Sequence, residues 1–139
     1  MRATSFLRSE RAAALVEFAI VLPVLLLLVF GIIDFGRALN TQNNLTAAVR
    51  EGARRAAVQY PTVNNQAIRD SVRKYLQPLG GEAPDVRVDQ NVFDGTVQSI
   101  TVAVDRYPFR PVTPIAEILG LETIPISASA TFRWEFGGQ

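Results

Sequence analysis

From Phe18 to Ile33 the chain reads FAIVLPVLLLLVFGII, with no charged residue. Ala12 to Val16 extend this run backward, interrupted only by Glu17, so the whole apolar stretch is about 22 residues long. At ~1.5 Å per residue it spans a hydrocarbon layer of roughly 30 Å. A helix apolar on every face could otherwise only be the buried core of a larger body, and 139 residues are too few to surround one. A cleaved secretory signal would put small residues at a cleavage site after the apolar core. Here the core runs into Asp34-Phe35-Gly36-Arg37 and the helical pattern continues. Arg2, Arg8 and Arg11 precede the run and favour a cytoplasmic N-terminus. The expected product is a single-pass membrane protein with its C-terminal domain outside the cytoplasm.

Composition narrows the chemistry. The chain has no cysteine and no histidine, which removes disulfides, thiol nucleophiles, zinc fingers and every histidine-based catalytic device. Net charge is +1, with no basic field to attract nucleic acid. No phosphate-binding glycine loop, metal cluster or nucleophile–base arrangement is evident, so no catalytic residues, metal or cofactor are expected. Asp85, Asp89, Asp94 and Asp105 do not have calcium-loop spacing, and turn or strand-edge solvation accounts for them.

Two residues inside the anchor are costly there. Glu17 places a carboxylate near the start of the apolar run, which requires a partner or the water of the headgroup layer. Pro23 removes the hydrogen bond to the Ala19 carbonyl, so a kink or local opening is expected, which membrane helices tolerate.

The order Arg11-Ala-Ala-Ala-Leu-Val-Glu17-Phe18-Ala-Ile-Val-Leu-Pro23 resembles the start of a type IV pilin-like protein, most closely the TadE-like family of the tight-adherence (Tad/Flp) pilus system. Asp34-Phe-Gly-Arg-Ala-Leu39 and Ala47-Ala-Val-Arg-Glu-Gly-Ala-Arg54 continue the likeness, which is strong over Arg11 to Ala57 and weaker beyond. Ile126-Ser-Ala-Ser-Ala-Thr-Phe132 also fits that family, although any amphipathic strand has this form. The resemblance implies cleavage by a prepilin peptidase between Ala12 and Ala13, placing Glu17 and Phe18 at the fifth and sixth mature positions. The sequence departs from the pattern at Ala12, where glycine is usual before the cut. Losing residues 1–12 would take the net charge from +1 to −1. The new ammonium at Ala13 would lie about one helical turn from the Glu17 carboxylate. A neighbouring subunit's N-terminus could then partner that carboxylate during assembly. The implied partners are the peptidase, other pilin-like subunits, the Tad inner-membrane platform and membrane lipid, with no nucleic acid.

Beyond the membrane the helix should continue to about Tyr60. Phe35, Ala38, Gln42, Leu45, Val49, Gly52 and Ala56 recur at alternating three- and four-residue steps. This small-residue face suits either a partner helix or the domain's own sheet. Arg50, Glu51, Arg54 and Arg55 fall mostly on other faces, as a solvated surface, and Arg37 can meet headgroups. A second helix is expected from Asn65 to about Gln77, capped by Asn64 or Asn65, with Ile68, Val72, Tyr75, Leu76 and Leu79 on its apolar face. Pro78 and Gly80-Gly81 stop it. Three strands follow, carrying Val86 to Val92, Ile100 to Val104 and Ile124 to Trp134, the first two joined by an Asp94-Gly95 hairpin turn. The span from Arg106 to Gly120 contains Pro108, Pro111 and Pro114 and reads as a long loop, with a helical turn at Ile115 to Leu119. It is either a contact surface or a lid in which Tyr107, Phe109 and Ile115 cover the sheet.

The expected fold is therefore α+β: a long N-terminal transmembrane helix, then a small domain with one further helix and a three-stranded antiparallel sheet. Residues 1–12 are the basic leader, 13–60 the helix and 61–139 the extracytoplasmic domain. Two functions remain open. One is a minor pilin-like subunit supporting Tad/Flp pilus assembly from the bacterial inner membrane. The other is an uncleaved, membrane-tethered adaptor unrelated to any pilus, in which Ala12 and Glu17 have no special role.

Overall fold

The computed structural model describes residues 3–59, 62–80, 84–93, 95–113, 120 and 122–134. Helix α1 spans Ala3–Val58 and α2 spans Asn65–Leu76, followed by a 3-10 turn at Gln77–Leu79. Strands β1 (Asp85–Phe93), β2 (Thr96–Phe109) and β3 (Ile124–Arg133) form one antiparallel sheet in the order β1-β2-β3. The fold is the expected α+β arrangement.

Helix α1 is 56 residues long, roughly 84 Å at 1.5 Å per residue, and does two jobs along that length. Its most apolar stretch is uncovered by the rest of the chain. Its second part lies between the sheet and α2, burying Thr41, Leu45, Ala48, Val49, Ala53 and Ala56. This settles the choice left open by the sequence: the small-residue face covers the chain's own sheet. The buried stripe is wider than the anticipated row, because α1 packs on α2 as well as on the sheet, and so takes in Thr41, Ala48 and Ala53. Phe35, expected on this face, is 67% exposed. The opposite surface is solvated. There Glu51 accepts from Arg54 and Arg55, which hold its carboxyl down at about 2.

Helix α2 begins where Asn64 caps it, its side chain accepting from the Ala67 amide at 3.1 Å. Ile68, Val72 and Leu76 form its buried row. Tyr75, expected on that face, sits one position off the row and is 51% exposed. Gly80 ends the segment at φ +72°, a left-handed conformation open to glycine.

Register places Val86, Val104 and Ala128 side by side, and Val88, Val102 and Ala130 in the next inward rank. The other face is polar. On it Thr101 and Thr131 share a hydrogen bond of 2.8 Å, and Arg87 reaches both Asp89 and Asp105. These two aspartates therefore sit in ion pairs. Asp94 lies outside the described residues. The turn glycine beside it, Gly95, has φ +73°, and Phe93 pairs with Thr96 across a two-residue connection, as the hairpin signal implied.

The segment after Val104 corrects the sequence reading. Strand β2 does not stop there but runs through Pro108 to Phe109. Between the Val104–Ala128 and Tyr107–Ile126 pairs, Asp105 and Arg106 face the single residue Ser127. Arg106 takes φ +53° and its amide donates to the Ser127 hydroxyl at 3.0 Å. This bulge shifts the alternation by one residue. Tyr107 and Phe109, rather than Arg106 and Pro108, then continue the inward face and are 6% and 5% exposed. Proline survives here because Pro108 lies opposite Pro125, flanked by the Tyr107–Ile126 and Phe109–Ile124 pairs. The covering role expected of Tyr107 and Phe109 is thus performed from within the sheet. Ile115 and the turn expected at Ile115 to Leu119 lie outside the described residues.

Candidate functional site: the anchor helix and its exit

The residues singled out by sequence all lie on α1. Helical geometry sets Ala13 and Glu17 on one face, about 6 Å apart along the axis. Phe18 points about a quarter-turn away, and Pro23 follows roughly 9 Å above Glu17. Ala12, Ala13, Glu17 and Phe18 are all exposed, Phe18 by 58%. Glu17 has no hydrogen-bond or ion-pair partner among the described residues. Leu15, Ile20, Val24 and Leu28 are likewise open, each by more than half. Among the described residues, α1 is the one helix long and apolar enough to cross a membrane, and none of its most apolar stretch is covered by the rest of the chain. The helix passes Pro23 without a break.

Between Ala12 and Ile33 this exposed apolar helix carries one carboxylate, Glu17. What it offers is surface: side chains that pack against lipid or other helices, and a negative charge that needs a cation.

Where this rod meets the domain, the structure shows a contact that sequence reasoning missed. Asp34, the first charged residue after the apolar run, receives the Val112 amide at 3.0 Å, the Thr113 amide at 3.3 Å and the Thr113 hydroxyl. Arg37 adds an ion pair at 3.3 Å. Burial raises the Asp34 carboxyl, but these bonds outweigh it and hold the group below its ordinary value of 3.8. Arg37 also lies over the Phe109 ring, 5.4 Å from its centroid, and donates to the Arg110 carbonyl at 3.4 Å. The end of β2 is thereby tied to the first turn of α1 beyond the apolar run. The only local signal was an acidic residue ending a long uncharged stretch. Its partners stand 78 and 79 positions away, which no local pattern encodes.

Replacing Asp34 by alanine should free this loop. Hydrogen exchange at the Val112 and Thr113 amides is expected to quicken about tenfold or more, as lost bonds to a charged acceptor imply. In the unaltered chain the clamp should be complete above the ordinary carboxylate range. Because the folded value is depressed, it should be lost as pH falls through that lower value. Unchanged exchange in the alanine variant would mean that the clamp does not hold the loop.

Residues 12–54 match the family model of TadE-like proteins. The matched stretch begins at Ala12, covers the apolar run, and ends within the part of α1 that packs on the sheet. The resemblance read from the sequence is borne out over that range. No curated protein and no solved structure matches the chain.

Proposed function

We propose that this chain is a minor pilin-like subunit that supports assembly of a Tad/Flp pilus from the bacterial inner membrane. The observation that carries the reading is the TadE-like match over residues 12–54, which falls on an exposed apolar helix whose carboxylate has no partner among the described residues. In this role the N-terminus faces the cytoplasm and residues 61–139, with the packed end of α1, stand outside. A prepilin peptidase removes residues 1–12, cutting between Ala12 and Ala13. The new ammonium and the Glu17 carboxylate then lie a turn apart. In the lipid each is stabilised best by the opposite charge on an adjacent subunit, so lateral packing of helices becomes directional. Phe18 adds an aromatic surface beside the charge, and Pro23 loosens one backbone bond so that the helix can bend against its neighbours. The outer domain supplies protein contacts to the assembly platform, and the role is structural rather than catalytic.

Deleting the chain from a piliated strain tests this directly. Surface pili should disappear and return when the full-length chain is supplied. Normal piliation in the deletion strain would dismiss the proposal and favour a tethered adaptor unrelated to the pilus.

A further inference from the structure

A membrane-spanning α1, as proposed for this chain, fixes the height of everything attached to its exit, and the inference rests on that span. With Ile33 at the hydrocarbon edge, Arg37 lies four residues on, roughly 6 Å further out. The headgroup layer adds about 5–7 Å on each side of the hydrocarbon. The Arg37 guanidinium therefore stands at the level of the lipid phosphates. Val112, beside Asp34 and 70% exposed, and Phe35, 67% exposed, put apolar side chains at the same level.

From that height outward a cleft of about 420 Å³ lies between α1, the turn after α2 and the end of β2. Arg37 and Arg110 supply two guanidinium groups, while Leu79, Tyr107 and Phe109 give it apolar walls. None of the described residues lining it is acidic. Asp34, beside Arg37, is already occupied by Val112, Thr113 and Arg37. The Arg110 side chain is exposed and makes no hydrogen bond or ion pair among the described residues. Two cations with one uncommitted fork, Arg37 at phosphate height and exposed apolar side chains at the same level, match an anion attached to an acyl chain.

We propose that this cleft binds the phosphate of an anionic phospholipid and so seats the outer domain on the membrane from which α1 emerges. The ligand is a lipid rather than a soluble anion, because Arg37 stands at phosphate height and the exposed apolar side chains of Phe35 and Val112 lie at the same level. Such seating, together with the Asp34 clamp, fixes the angle at which the domain is presented to other subunits.

The test uses the full-length chain purified in detergent, with lipid retention read by native mass spectrometry. Phosphatidylglycerol should be retained in preference to phosphatidylcholine, which carries the same phosphate beside an ammonium. Arg110→Gln should weaken that retention about tenfold, as loss of a charge-assisted hydrogen bond implies. It should leave hydrogen exchange at Val112 and Thr113 unchanged, which separates lost binding from lost folding. Arg37→Gln combined with it should abolish the preference. Millimolar inorganic phosphate should not displace the lipid. Equal retention of both lipids, an Arg110→Gln variant that binds as before, or displacement by phosphate would each overturn the proposal. Insertion is measured separately, by carbonate extraction from vesicles. An inserted chain without lipid preference removes this inference alone, whereas a chain that fails to insert removes the membrane span along with it.

Discussion

A leucine in place of Gly52 should pry α1 away from its partners and destabilise the outer domain by about 3 kcal/mol or more, near the upper end of what overpacking costs. Gly52 is buried where α1 crosses both α2 and β2. A Cβ there would stand 2.6 Å from Val72 Cγ2 and 3.2 Å from Val102 Cγ1. Those methyls belong to two fully buried valines held in ranks on both sides, so they cannot simply turn aside. The better helix propensity of leucine returns only about 1 kcal/mol. Gly36 supplies the contrast, because nothing lies within 4 Å of its missing Cβ. Leucine at position 36 should leave denaturant unfolding of the domain unchanged or slightly improved. Equal midpoints for the two variants would contradict the close packing of α1 on the sheet.

Alanine at position 17 should separate insertion from assembly. A carboxylate at the centre of a membrane helix costs roughly 2.5–3.5 kcal/mol on insertion scales, and less near the interface. Removing it cannot weaken insertion, so the variant should reach the membrane at normal levels. Assembly should suffer instead. Taking one partner from a buried ion pair costs about 3–5 kcal/mol, which is more than a hundredfold in association at each contact. Piliation should therefore collapse while the chain persists in the membrane. Glutamine should fail as well, since it keeps the size of Glu17 but not its charge. Normal pili with either variant would show that Glu17 merely marks the membrane boundary.

What was legible in the sequence was whatever rests on local period and local chemistry. The apolar run, the Asn64 cap, the Asp94-Gly95 turn and the alternation of β3 each announce themselves within a dozen residues. Only the first half of β2 is visible in the sequence, because its message changes phase midway. After Val104 the apolar residues fall at positions 107 and 109, out of step with 100, 102 and 104. Only the bulge at Arg106, stabilised by Ser127 on another strand, reconciles the two halves. The α1 face was read in the right direction but too narrowly, because a sequence cannot tell one neighbour from two. The Asp34 clamp was hidden for the same reason, its partners being far along the chain. In the anchor itself the residues and their spacing were plain. The role proposed for them rests on the order of Ala13, Glu17 and Phe18 rather than on any contact, since in a single chain Glu17 finds no partner among the described residues.

The central claim is that α1 is a processed assembly element and not simply a tether. Intact mass spectrometry of the chain, extracted from membranes of cells with an active prepilin peptidase, measures this most directly. The expected product is a protein whose first residue is Ala13, replaced by the full-length chain when the peptidase is inactivated. A chain that keeps Met1 to Ala12 beside an active peptidase would contradict it.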